Sequence, residues 1–142
     1  MQYEQARQII KDGDIVFIHG SWKQPIQALI MFFTFSRFAH VCVAFWQDLG
    51  GEEKRLMCVE SQGLAKRRIL SLSFYKNKKM TIVSAPKAWD LVKEKALSRI
   101  GQVKYGYFEA VWVGLREFFQ KTLGVRLPRL DTAGEICSEF VA

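Results

Sequence analysis

Apolar positions recur along the chain with two periods, and the switches between them mark the elements. Tyr3 to Lys11 places Ala6, Ile9 and Ile10 inward and predicts a short helix. Asp12-Gly13-Asp14 is a turn signal, and Ile15 to His19 then reads as an apolar strand ended by Gly20-Ser21. Pro25 suits the first turn of a helix running to about Phe35, and Ser36-Arg37-Phe38 breaks it. Ala39 to Trp46 is rich in β-branched and aromatic residues and predicts a strand. Asp48-Leu49-Gly50-Gly51-Glu52 is a hairpin loop, and Arg55 to Glu60 is the returning strand.

Lys66 to Leu70 and Met80 to Ser84 read as further strands. Pro86 opens a helix in which Trp89, Val92, Ala96 and Ile100 keep helical spacing, with Gly101 as its C-cap. Tyr107 to Leu123 is a second, strongly aromatic helix closed by Gly124. Pro128 to Gly134 is loop, and Glu135 to Ala142 has room for two helical turns at most. The pattern contains no repeat and no linker. It predicts one α+β domain over residues 1–142, with a small, mainly antiparallel sheet packed with helices.

Composition narrows the classes. Of the 142 residues, 49% are hydrophobic and 25% charged, which suits a globular chain with a real core. Three cysteines are too few, and odd in number, for a disulfide scaffold. Cys42, Cys58 and Cys137 are widely separated and form no CxxC pair, so zinc-type cysteine pairs are excluded. The net charge of +7, with clusters at Lys66-Arg67-Arg68 and Lys76-Asn77-Lys78-Lys79, fits an anionic cell-wall polymer or membrane surface as well as an ordinary solubilising surface. The basic residues are scattered and no nucleic-acid motif occurs, so nucleic acid is not an expected partner.

The N-terminal Met-Gln-Tyr-Glu-Gln-Ala-Arg has no apolar leader, so a cytoplasmic location is the default expectation. Ile26 to Trp46 is the one membrane suspect. Arg37 and His40 near its centre oppose a spanning helix, so it reads as a buried helix followed by a strand, with peripheral lipid contact through the Phe-rich segment left open.

The hairpin carries the candidate chemistry. With its loop centred on Gly50, His40 lies opposite Glu60, Cys42 opposite Cys58, and Ala44 opposite Leu56. His40 and Glu60 share a face in any register that pairs even with even. Facing residues have Cβ atoms ~4.5–5.5 Å apart, so the carboxylate would hold one imidazole nitrogen and leave the other to act as a base. Of the thiols, Cys42 and Cys58 sit mid-strand among apolar neighbours, where cysteine is ordinarily a small hydrophobe. Cys137 follows Asp131-Thr132-Ala133-Gly134 at the start of the last predicted helix. There the helix dipole lowers a thiol pKa and backbone N–H groups can stabilise an oxyanion. Cys137, His40 and Glu60 would then form a nucleophile, a base and an orienting carboxylate.

At these residues the sequence resembles the permuted NlpC-type, papain-like cysteine peptidases and amidases (YiiX/YaeF-like). The segments that carry the resemblance are, in order, Gly13-Asp14-Ile15-Val16-Phe17, Ser36-Arg37-Phe38-Ala39-His40-Val41, Val59-Glu60-Ser61, Gly101-Gln102-Val103-Lys104-Tyr105 and Ile136-Cys137-Ser138-Glu139-Phe140-Val141. Together they span nearly the whole chain. The resemblance implies a circularly permuted papain-like fold, with Cys137 as nucleophile, His40 as base and Glu60 as the orienting residue. It also implies that Tyr105 assists the oxyanion or lines the cleft.

The order His, Glu, Cys is the sign of permutation, since unpermuted relatives run Cys first. Cys42 stands where the family usually has a glycine, Ser61-Gln62-Gly63 replaces a commoner run, and only five residues follow Cys137, which implies a short nucleophile helix. The implied activity is hydrolysis of an amide bond in cell-wall peptide material through a thioester, without metal or organic cofactor. Two alternatives stand beside it. One is a lipid acyltransferase or phospholipase of the lecithin:retinol acyltransferase-like branch, acting on a lipid ester. The other is a catalytically silent binding module of the same shape.

Overall fold

The computed structural model describes residues 1–50, 54–61, 67–85, 89–98, 100–101, 116, 119–120, 122–126 and 128. Over these the chain is a mixed α+β structure built on a five-stranded antiparallel sheet. Its elements are α1 (Tyr3–Ile9), β1 (Ile15–His19), α2 (Pro25–Thr34), β2 (Phe38–Gln47), β3 (Arg55–Glu60), β4 (Arg68–Ser71), a 3-10 turn η1 (Leu72–Tyr75), β5 (Met80–Val83) and α3 (Trp89–Ser98). The strand order is β4-β3-β2-β1-β5.

Each pairing follows from the period-2 pattern. In β1, Val16 and Ile18 are buried and their neighbours half-buried. The central strand β2 is buried continuously from His40 to Phe45, as a strand covered on both faces must be. One face packs Val16, Ile18, Cys42, Ala44, Leu56 and Cys58 against Tyr3, Ala6 and Ile10 of the N-terminal segment and Leu72 and Tyr75 of η1. The other face packs Val43, Phe45 and Val59 against Trp89 and Ala96 of α3, with Phe45 stacked on Trp89 at 5.3 Å between ring centres.

Two residues of the turn fix how α1 enters the sheet. Gly13 adopts φ +88°, which a side chain would strain, and its N–H bonds to the Ala44 carbonyl at 2.8 Å. The neighbouring Asp14 is buried. Its carboxylate accepts the N–H groups of Lys11 at 2.8 Å and Ala85 at 3.2 Å, tying the start of β1 to the segment after β5.

Three expectations need correction. The β2–β3 register is displaced by two residues: Ala44 faces Cys58 rather than Leu56, and Leu56 faces Trp46. Seven residues, 48–54, separate the paired ends Gln47 and Arg55, so the loop is not centred on Gly50. The helix α2 is not a buried helix: Met31 is buried, whereas Ile26, Leu29 and Phe32 are exposed. Nor are Arg67 and Arg68 of the expected basic cluster simply surface charges, while Lys66 lies outside the described residues. Arg67 is buried and donates to the Lys95 carbonyl of α3, and Arg68 reaches Glu60. In the stretch expected to form the aromatic second helix, residues 116, 119–120 and 122–123 are helical, and Gly124 takes φ +67° as a closing glycine does. No helix among the described residues is long and apolar enough to cross a membrane.

Candidate active site

The sheet face that packs on α1 and η1 also carries a buried carboxylate. Glu60 ends β3 with no exposed surface, and an ionised carboxylate so placed is stable only when fully partnered. Four donor atoms from three other elements meet that requirement. His40 Nε2, from the start of β2, lies 2.8 Å from Oε2, and Tyr75, from the end of η1, donates its hydroxyl to the same oxygen at 2.5 Å. Arg68, the cross-strand partner of Glu60 on β4, brings Nε to 2.9 Å and Nη2 to 2.7 Å from Oε1. The His40 and Tyr75 rings lie 5.8 Å apart and tilted by 38°.

A β-bulge sets the position of His40. Ile18 pairs with His40, but the next residue, His19, pairs with Phe38, so Ala39 is the extra residue on β2. The bulge puts Phe38 on the same side as Phe17 and His19, whose rings it contacts, and leaves His40 on the opposite face, toward Glu60. Gly20 makes room for it. A Cβ at Gly20 would sit 2.5 Å from Met31 Sδ and 2.9 Å from Ala39 Cβ.

The electrostatics follow from this packing. Burial pushes the Glu60 carboxyl upward in pKa, but hydrogen bonding from His40, the His40 charge, and hydrogen bonding from Tyr75 and Arg68 outweigh it and hold the group below its ordinary value. Tyr75 is driven well above the usual phenol range by burial and by its bond to the carboxylate, so it stays a donor. Arg68 is held charged: burial opposes its charge, and its bonds to Glu60 more than compensate. A carboxylate only accepts, so Nε2 of His40 carries the proton in this bond.

His40 and Glu60 are therefore brought together. Cys137 and Tyr105 lie outside the described residues. Cys42 and Cys58 are fully buried core thiols, and Cys42 Sγ points at the Val16 carbonyl at 3.8 Å. No group of His, Cys, Asp and Glu among the described residues could hold a metal ion. Sequence reasoning missed Arg68 and Tyr75. Arg68 was discoverable as a cation at the start of the strand after Glu60. Tyr75 lies in a 3-10 turn with no periodic signal. No family model matches the chain, and none of the curated proteins compared with it does either.

Proposed function

We propose that the chain is a cysteine hydrolase of the circularly permuted papain-like (NlpC-type) fold, formed as one domain over residues 1–142, that cleaves an amide bond in cell-wall peptide material. The observation that supports the reading is the buried Glu60 carboxylate on Nε2 of His40. It fixes the imidazole tautomer and favours the imidazolium, as the orienting residue of a nucleophile–base pair must.

In this reading the Cys137 thiol gives its proton to His40 Nδ1, and the thiolate attacks the amide carbonyl carbon. The imidazolium returns the proton to the leaving nitrogen as the C–N bond breaks, which leaves a thioester. Water, deprotonated by His40, then releases the carboxylic acid and regenerates the thiol. Tyr105 would line the cleft or assist the oxyanion. A lipid ester is the second substrate reading, favoured by the apolar residues that α2 exposes.

The test is alkylation of the protein by iodoacetamide across pH, followed by mass spectrometry of the Cys137 peptide. The reading expects Cys137 to react with a depressed thiol pKa that returns to the ordinary value in His40→Ala. It also expects a thioester adduct on Cys137 after incubation with cell-wall peptides. An ordinary pKa that His40→Ala leaves unchanged overturns it.

A further inference from the structure

The helix α2 is short and contains no charged residue, yet it turns much of its apolar surface outward. Ile26, Leu29 and Phe32 recur at three-residue spacing and are 67%, 50% and 52% exposed, while Met31 faces the protein and is buried. Trp22, just before the helix, is 69% exposed, and Phe35, just after it, is 56% exposed. Scattered exposed apolar residues are ordinary, but three large ones on one short helix and two more at its immediate flanks form a patch of the kind that marks an interaction surface.

The charge around this patch has one sign. No Asp or Glu occurs between Asp14 and Asp48, nor between Glu60 and Asp90. Lys23 and Arg37 flank the helix at its two ends. The strand that leads into it ends beside Arg37 and Lys79, whose charges both act on His19. His19 N–H bonds to the Lys79 carbonyl at 2.9 Å, and Gly20 N–H bonds to the Arg37 carbonyl at 3.0 Å.

We propose that the α2 face is a docking surface for an anionic lipid bilayer. Its exposed aliphatic and aromatic side chains enter the headgroup–acyl boundary, and the basic rim lies over the anionic headgroups. Trp22 sits where an indole is favoured, at the water–lipid boundary. A second copy of the chain fits less well, because pairing two such faces would bring their cationic rims together in a protein of net charge +7. The proposal stands independently of whether the chain hydrolyses anything.

The test is sedimentation of the full chain with vesicles of phosphatidylcholine, with and without phosphatidylglycerol. Binding to the phosphatidylglycerol vesicles is expected, weakened by added salt. The double variant I26S/L29S should lower the partition coefficient at least ~10-fold, since both side chains are lost from the inserted surface. Both positions are solvent-exposed, so the variant should keep its far-ultraviolet circular dichroism, which is measured alongside. Brominated lipid should quench tryptophan emission of the wild type, and W22F should reduce that quenching. Three results each overturn the proposal: no binding to phosphatidylglycerol vesicles, binding that I26S/L29S leaves unchanged, or concentration-dependent dimerisation without lipid that I26S/L29S abolishes.

Discussion

His40 Nε2 and Glu60 Oε2 lie 2.8 Å apart although the two residues do not face each other across the hairpin. The register pairs Val43 with Val59. Carried one residue further it sets Glu60 across from Cys42, and His40 is the next residue along on the same face. The contact is therefore diagonal, a separation that a long side chain such as glutamate spans.

Removing the carboxylate should cost more than any other single change at this site. Glu60→Ala leaves a buried imidazole, a buried phenol and a half-exposed guanidinium without their shared acceptor, and a loss of about 3–5 kcal/mol is expected. Glu60→Gln keeps the shape and one acceptor oxygen and should cost less. Urea unfolding of the two variants against the wild type measures both.

The acid limb of stability should belong in part to Glu60. Its folded pKa lies below its ordinary value of 4.5, so its contribution is complete above that value and is lost as pH falls through the lower, folded one. Unfolding free energies from neutral pH down to about pH 3 should therefore decline more steeply in the wild type than in Glu60→Gln. Parallel curves would show that the network does not hold the carboxyl down.

Tyr75→Phe isolates the hydroxyl. The ring stays to pack against His40 and the core, and the loss is one hydrogen bond to a charged acceptor, about 1.5–3 kcal/mol. The same substitution should shift the acid transition to higher pH, because a hydrogen bond that favours the charged carboxyl has gone. Alkaline titration followed in the ultraviolet should show one fewer late-ionising tyrosine in the variant.

Gly20→Ala tests the crossing between β1 and α2. Its new Cβ would meet Met31 Sδ at 2.5 Å and Ala39 Cβ at 2.9 Å, so Met31 or the bulge must shift. A cost of about 1–3 kcal/mol is expected in urea unfolding. Because Ala39 is the bulged residue, histidine resonances observed by NMR should move in this variant.

The sheet was legible in the sequence because strand alternation is a strong signal, and β1, β2 and β3 fall within a residue or so of where the pattern put them. The face shared by His40 and Glu60 was legible for the same reason: alternation fixes parity. It does not fix which even residue opposes which. That depends on the length of loop 48–54, and the pair of glycines at 50 and 51 misled by one position. The exposure of α2 was hidden because its sequence is apolar nearly all round, which leaves the outward side undetermined. Arg68 looked like surface charge because a run of cations carries no mark of an acidic partner eight residues earlier. Tyr75 had no pattern to betray it.

Glu60 receives its donors from β2, β4 and η1, elements that follow one another over some thirty-five residues of chain. No subset of them gives the carboxylate a full set of partners, and a partially assembled sheet would strand a charge away from water. Assembly of the hairpin, the next strand and the short turn is thus bound into one cooperative step. Amide protons in β2, β3 and β4 should exchange with solvent through the same global opening rather than through separate local ones.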